Sequence, residues 1–178
     1  MMFKNKTEAK LPPQAVDIGT AVLGSCLMFG DYKVAIELLK PETFYKESHQ
    51  LIFKVIQSLV AEGVKPDTIS VYQKLKVTGD AELVGGAYYI SQLTTGIVSN
   101  SNLEYYCRIL IEKWLKREFI RLCQTMTNNL FEDRNDILEL ISKFKKDIEA
   151  ATNFETTNTI TTLSEAMQEV YQHVCKLS

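Results

Sequence analysis

No run in this chain approaches the roughly 18 consecutive apolar residues that a membrane-spanning helix needs, which excludes such a helix. The first ten residues carry charge with no apolar stretch behind them, so they read as a flexible tail (1–11) and not as a signal peptide. Basic charge is not in excess. Residues 11–100 hold 7 basic and 9 acidic side chains, and residues 101–150 hold 9 of each. Neutralising phosphates supplies most of the affinity of a nucleic-acid binder, so weak or no autonomous nucleic-acid binding is expected. The four cysteines, Cys26, Cys107, Cys123 and Cys175, form no C-x-x-C pair, which excludes the common zinc and dithiol motifs. On one helix Cys107 and Cys123 would lie about 24 Å apart, too far to bridge. Reduced thiols in a cytoplasmic protein are the expectation. None of the eight glycines is followed by Lys, so the phosphate-binding G-x-x-x-x-G-K-[ST] loop is missing.

Proline is also scarce where it would do most damage. All four prolines lie in the first 66 residues, and the rest of the chain has none. A proline inside a helix costs about 3 kcal/mol, so a proline-free stretch rich in Leu, Ile, Glu and Lys reads as helical. No strand-length apolar–polar alternation stands out, and 46% of the residues are hydrophobic, enough to fill a core. The fold class predicted is all-α.

What is present is helix punctuation around 3.6-residue periodicity. A first helix is predicted over about Gln14–Phe29, with Ile18, Ala21, Val22, Cys26 and Phe29 on one face. Gly30-Asp31 separates it from a second helix ending near Leu39. Pro41 opens a short turn holding Phe44 and Tyr45. Ser48 is predicted to cap a third helix closed by Gly63. Pro66-Asp67-Thr68 opens a fourth, closed by Gly79, and Gly85-Gly86 leads into a fifth. Ser101 and Glu104 have capping-box spacing and would start a long helix reaching about Asn128. Asn135 would cap a further helix carrying Ile137, Leu138, Ile141, Phe144 and Ile148. The short break between these last two predicts an antiparallel hairpin. The stretch 153–161 is rich in Asn and Thr and reads as a linker. Thr162 and Glu165 would box a final amphipathic helix, 162–176, with Leu163, Met167, Val170, Tyr171 and Val174 on one face. Too short to be stable by itself, it is expected to dock on another surface.

No residue pattern points to catalysis. His49 has one other histidine in the chain, His173, and reads as a packed histidine beside Phe44 and Tyr45 rather than as a base or ligand. Gly85-Gly86 reads as a tight lead into a helix, since no strand precedes it and no Lys follows. Lys143, Lys145, Lys146 and Asp147 read as a solvated face. The pair Glu132-Asp133 sits in a hydrophilic turn, without the converging environments that acid–base chemistry needs. Trp114 reads equally as an inter-subunit anchor or as packing where head meets hairpin. A competing reading is a stand-alone helical DNA-binding or regulatory protein, based on the helix–turn–helix look of residues 48–78. The start of its second helix, Asp67-Thr68-Ile69-Ser70-Val71, lacks the basic and amide groups that read bases.

Five segments in order carry a resemblance: P-Q-A-V-D-I-G-T-A-V-L-G-S-C-L (13–27), F-Y-K-E-S-H-Q-L-I-F (44–53), P-D-T-I-S-V-Y-Q-K-L (66–75), G-G-A-Y-Y-I-S-Q-L (85–93) and R-E-F-I (117–120). Together they resemble the N-terminal domain of DnaB-type replicative helicases over about residues 12–150. Where that family commonly has an Ala-Glu pair, this chain has Ile18 and Gly19. The resemblance implies a globular helical head of about six helices (12–113), a helical hairpin (114–152), the linker (153–161) and a detached linker helix (162–176) that packs on the motor domain of the adjacent subunit. It implies the collar of a helicase ring, with the chain itself (dimer or hexamer), primase and a helicase loader as partners. Interface residues would be Trp114, Phe131, Phe144, Leu163, Met167, Val170, Tyr171 and Val174. No catalytic, cofactor or metal residue is expected here. ATP and Mg would belong to a motor domain outside this sequence, which is expected to be a fragment of a longer chain.

Overall fold

The computed structural model describes residues 11–95, 99, 101–132 and 136–152. Every regular element among them is helical: α1 (Val16–Met28), α2 (Tyr32–Leu38), a 3₁₀ turn (Pro41–Thr43), α3 (Glu47–Ala61), α4 (Thr68–Thr78), α5 (Gly86–Leu93) and α6 (Leu103–Leu130). A seventh helix, α7, covers residues 137–152. The linker and final helix expected at 153–176 lie outside the described residues.

Local chemistry sets several boundaries where the sequence places them. The Asp67 carboxylate accepts the Ser70 N–H at 2.7 Å while the Ser70 hydroxyl accepts the Asp67 N–H at 2.9 Å. This reciprocal box satisfies orphan donors at the start of α4. Gly79 ends α4 at φ +84°, a left-handed conformation that a Cβ penalises. Other boundaries differ from expectation. Helix α3 starts at Glu47, one residue before Ser48, and Ser48 is not its cap. The Lys46 carbonyl takes the first helical bonds, from the His49 and Gln50 N–H groups, and the Gln50 amide ties back to the Phe44 carbonyl at 2.8 Å. The Ser101–Glu104 box does not form. Asn102 occupies the N-cap without a side-chain bond, Ser101 bonds to Ser99, and Glu104 pairs with Arg108. An i,i+4 ion pair competes for that carboxylate. At α7, Asp136 caps, accepting the Leu138 and Glu139 N–H groups at 2.7 and 3.3 Å; the expected cap, Asn135, lies outside the described residues.

The core fills the space enclosed by α1 to α5 and the first two turns of α6. Val22, Leu23, Cys26, Ile52, Ile56, Val71 and Cys107 are wholly buried there. Each such aliphatic side chain contributes about 1.5–3 kcal/mol on burial. Helix α1 is buried almost all round, including Gly24, Ser25 and Cys26, which makes it the central element of the head. Helix α6 has buried residues only at Leu103, Cys107, Leu110, Ile111 and Leu122, so most of its length leaves the core. It runs unbroken from head into hairpin, about 42 Å for 28 residues.

Candidate interaction surface

The junction between head and hairpin is held by Arg117. Its guanidinium donates to the carbonyls of Pro13 (3.0 Å), Thr43 (2.9 Å) and Glu42 (3.4 Å). It also lies 5.5 Å from the centroid of the Tyr45 ring. Burial pulls the Arg117 pKa below its ordinary value, but a guanidinium stays charged across the physiological range. One side chain thus joins α6 to the segment leading into α1 and to the 3₁₀ turn. The fork geometry needs Arg, since a lysine ammonium cannot span several carbonyls in one plane.

Beyond the junction, α6 and α7 form the antiparallel hairpin. A shallow cleft between them is lined by Leu122, Met126 and Asn129 of α6 and by Leu140, Phe144 and Asp147 of α7. That seam uses only part of the apolar surface. On α6, Phe119, Cys123, Met126 and Leu130 recur at spacings of four, three and four; on α7, Ile137, Ile141, Phe144 and Ile148 do the same. At 100° per residue, Cys123 and Leu130 lie about 90° around from the α6 side of the seam, and Ile137 and Ile141 about 90° around from the α7 side. Because the helices run in opposite directions, both rows fall on the same side of the hairpin. Leu130 is 52%, Ile137 51% and Ile141 40% exposed. Thr125 and Lys143 also line the cleft, and with Arg121 they make its opposite side polar. A heptad-spaced apolar stripe left open on one side of a helix pair is the geometry that accepts further helices by knobs-into-holes packing.

The residues expected at interfaces distribute unevenly. Phe131 is 85% exposed at the hairpin tip, beside Leu130. Phe144 is half-buried in the cleft. Trp114 is half-buried on α6, three residues before Arg117 and close to the junction. Leu163, Met167, Val170, Tyr171 and Val174 lie outside the described residues. Sequence reading missed Arg117, whose partners are up to 104 positions away. It also missed the α6 row, although the four-three-four spacing was present to find it.

His49 is structural. It is 1% exposed, its Nε2 lies 2.6 Å from the Tyr89 hydroxyl, and its ring meets Phe44 edge-on. Burial, reinforced by the Lys46 charge, lowers its pKa from 6.5 to about 4, so the ring is neutral at physiological pH. A Cβ on Gly19 would lie 3.0 Å from His49 Nδ1, so the histidine ring fills the space beside that glycine. Gly85 leads into α5 at φ +95°, and a Cβ there would lie 3.0 Å from Tyr89 Cβ. The tight turn read from Gly85-Gly86 is thus also what places Tyr89 against His49. Burial pushes the Cys26 and Cys107 thiols up to about 12, which makes both unreactive. Among the described residues no cluster of His, Cys, Asp or Glu could hold a metal ion, and no helix is long and apolar enough to cross a membrane.

Fold and surface together define the class: an all-α domain of a packed head and a projecting hairpin that leaves apolar side chains exposed. The comparisons give the family. The model of the DnaB-like helicase N-terminal domain matches residues 11–112, more than half of the 178 residues, and the chain belongs to that family. It is similar to the replicative DNA helicase DnaB of Rhodothermus marinus, 31% identical over 93% of this chain and 18% of that protein. It is also similar to the replicative DNA helicase DnaC of Bacillus subtilis, 28% identical over 94% of this chain and 37% of that one. The chain therefore spans well under half the length of these relatives. Among solved structures, the N-terminal domain of DnaB helicase from Mycobacterium tuberculosis matches with TM-score 0.74 and 26% identity, over 79% of this chain and 99% of that one. A DnaB-like replicative helicase, described together with its interactions with primase, matches with TM-score 0.63 and 27% identity, over 75% of this chain and 30% of that one.

Proposed function

We propose that this chain is the assembly and docking module of a replicative DNA helicase, in which the hairpin pairs copies of the chain and the head and hairpin together offer a surface to primase. The observation that carries this reading is the open apolar stripe: Leu130, Ile137 and Ile141 are each at least 40% exposed, in register on one side of the hairpin. A second hairpin laid against that stripe completes a four-helix bundle. Burying four to six large side chains per copy supplies the apolar centre that a stable interface needs. A self-complementary pairing of this kind closes on a dimer, so assembly of such dimers into a ring uses a second, different contact.

The parent protein, in this reading, unwinds duplex DNA with ATP and Mg bound to a motor domain outside this sequence. This reading places the nucleotide site in that motor domain, since the present sequence has no phosphate-binding loop. The solved DnaB-like relative that interacts with primase supports primase as a partner. A helicase loader is a further partner, and the final segment ties neighbouring subunits through their motor domains. Balanced charge and the capping carboxylate of Asp67 at the start of α4 weigh against stand-alone DNA binding.

Sedimentation equilibrium of the chain and of Ile141→Asp tests the pairing. The wild type self-associates at micromolar concentration, and Ile141→Asp weakens that association at least a hundredfold, since an aspartate facing the stripe would be desolvated without a partner. Equal association constants would remove the hairpin from the interface. For primase, a calorimetric titration with its C-terminal domain at two salt concentrations should give saturable binding.

A further inference from the structure

Helix α6 contains neither Gly nor Pro, so it has no built-in hinge where it leaves the head. A change in the hairpin's direction is then a pivot of the whole helix at its junction with the head. Leu115 packs on the core of the head, and Leu122 is buried in the hairpin seam. Arg117 lies between them and is half-buried. Its carbonyl acceptors come from two separate stretches of chain. One is Pro13, in the segment that leads into α1; the others are Glu42 and Thr43, in the 3₁₀ turn. Tyr45, just past that turn, covers the guanidinium with its ring. Pro12 and Pro13 have a fixed φ and no N–H. They can therefore bind α6 only through their carbonyls, and Pro13 does so. Residues 117–130 extend about 20 Å beyond this tie. A pivot of about 10° there would move the hairpin tip by about 3 Å, roughly half the spacing between neighbouring side chains on a helix. Knobs on the apolar stripe would then miss their holes.

We infer that Arg117 is a positioning residue for hairpin pairing: it latches α6 to the strap at residues 11–15 and to the 3₁₀ turn, and the latch sets the direction of the hairpin in which two copies match. The inference rests on the reading of the hairpin stripe as the pairing surface. Self-association is thereby coupled to a segment that takes no part in the stripe. The strap is open to solvent at its start, where Leu11 is 81% exposed. Displacing it removes the Pro13 carbonyl and frees the hairpin to pivot.

The test uses the full chain at concentrations where it is monomeric. Spin labels on Lys54→Cys of α3 and Asn128→Cys of α6, both exposed positions, report the distance from head to hairpin by pulsed electron paramagnetic resonance, with Cys123→Ser and Cys175→Ser in the background. The intact latch should give one narrow distribution. Arg117→Ala should broaden it, Arg117→Lys should give an intermediate width, and Pro12→Gly/Pro13→Gly should broaden it with Arg117 still in place. Without the labels, sedimentation equilibrium reads the consequence. If the matching direction falls to about one third of the population, association of two copies weakens about tenfold. Leu75→Ala is the control. It removes stability from the buried core of α4 and leaves the latch intact, so it should keep the narrow distribution and the wild-type association. An unchanged distribution in folded Arg117→Ala or in Pro12→Gly/Pro13→Gly would overturn the inference. So would a broadened distribution with unchanged association, or equal broadening in Leu75→Ala. Should Arg117→Ala fail to fold, Arg117→Lys and the glycine variant carry the same test. Association that is indifferent to Ile141→Asp would instead overturn the pairing surface, while the distances still decide the latch.

Discussion

Lowering the pH from 7 to 5 should destabilise this domain through one residue, His49. In the folded chain its pKa is about 4, and in the unfolded chain it returns to the ordinary 6.5. Between those values the unfolded state binds more protons than the folded state. Stability therefore falls as pH falls through 6.5 and levels off below about 4. The drop from 6.5 to about 4 corresponds to about 3 kcal/mol in the limit, at roughly 1.4 kcal/mol per tenfold change. Between pH 7 and pH 5 the loss is about 2 kcal/mol. Glu62, Asp67 and Glu112 do not contribute in that window. Hydrogen bonds, chiefly from Lys74, the Ser70 backbone and Lys116 respectively, hold their pKa values below the ordinary 4.5, 3.8 and 4.5, so their effects come at lower pH. Urea unfolding followed by helical circular dichroism at pH 7, 6 and 5 measures the slope. His49→Gln keeps a polar group near Tyr89 and cannot titrate, so its stability should be lower at pH 7 but nearly flat down to pH 5. A variant with the same slope as wild type, or a wild type with no slope, would refute a buried neutral histidine at this place.

Arg117→Ala should lower stability by about 2–3 kcal/mol, because three carbonyls lose a charged donor; Arg117→Lys should recover less than half of that in chemical denaturation. Gly85→Ala should lower the melting temperature by several degrees, since the residue sits at φ +95° with Tyr89 in the path of its Cβ. Gly63→Ala, at φ +76° with nothing near its Cβ, should cost less, and thermal denaturation of the pair separates backbone strain from contact with Tyr89.

What the sequence made legible was local. Pro66-Asp67-Thr68, Gly79 and Gly85-Gly86 act within three or four residues of themselves, so their chemistry is readable without a fold. The errors came where two local solutions compete. Ser48 and the Ser101–Glu104 pair have the right side chains for caps, yet the backbone enters α3 one residue earlier, and Glu104 is taken by Arg108. Long-range partners were not legible. Nothing near Arg117 in sequence points to the carbonyls of Pro13 and Thr43, and nothing near His49 points to Tyr89, forty residues on. The candidate surface lay between these cases. Its apolar spacing is in the sequence, but its openness depends on which face of α6 and α7 the seam uses. The all-α class and the family resemblance agree with the structure and the comparisons, because helix periodicity and punctuation carry them.

Amide exchange measured as a function of protein concentration tests the hairpin's role most directly, since it reads each segment separately. If copies pair through the hairpin, raising the concentration from sub-micromolar to hundreds of micromolar slows exchange along residues 119–130 and 137–148 and leaves α1, α3 and α4 unchanged. Protection that grows in the head, or in no segment at all, would contradict the hairpin as the surface through which copies of this chain assemble.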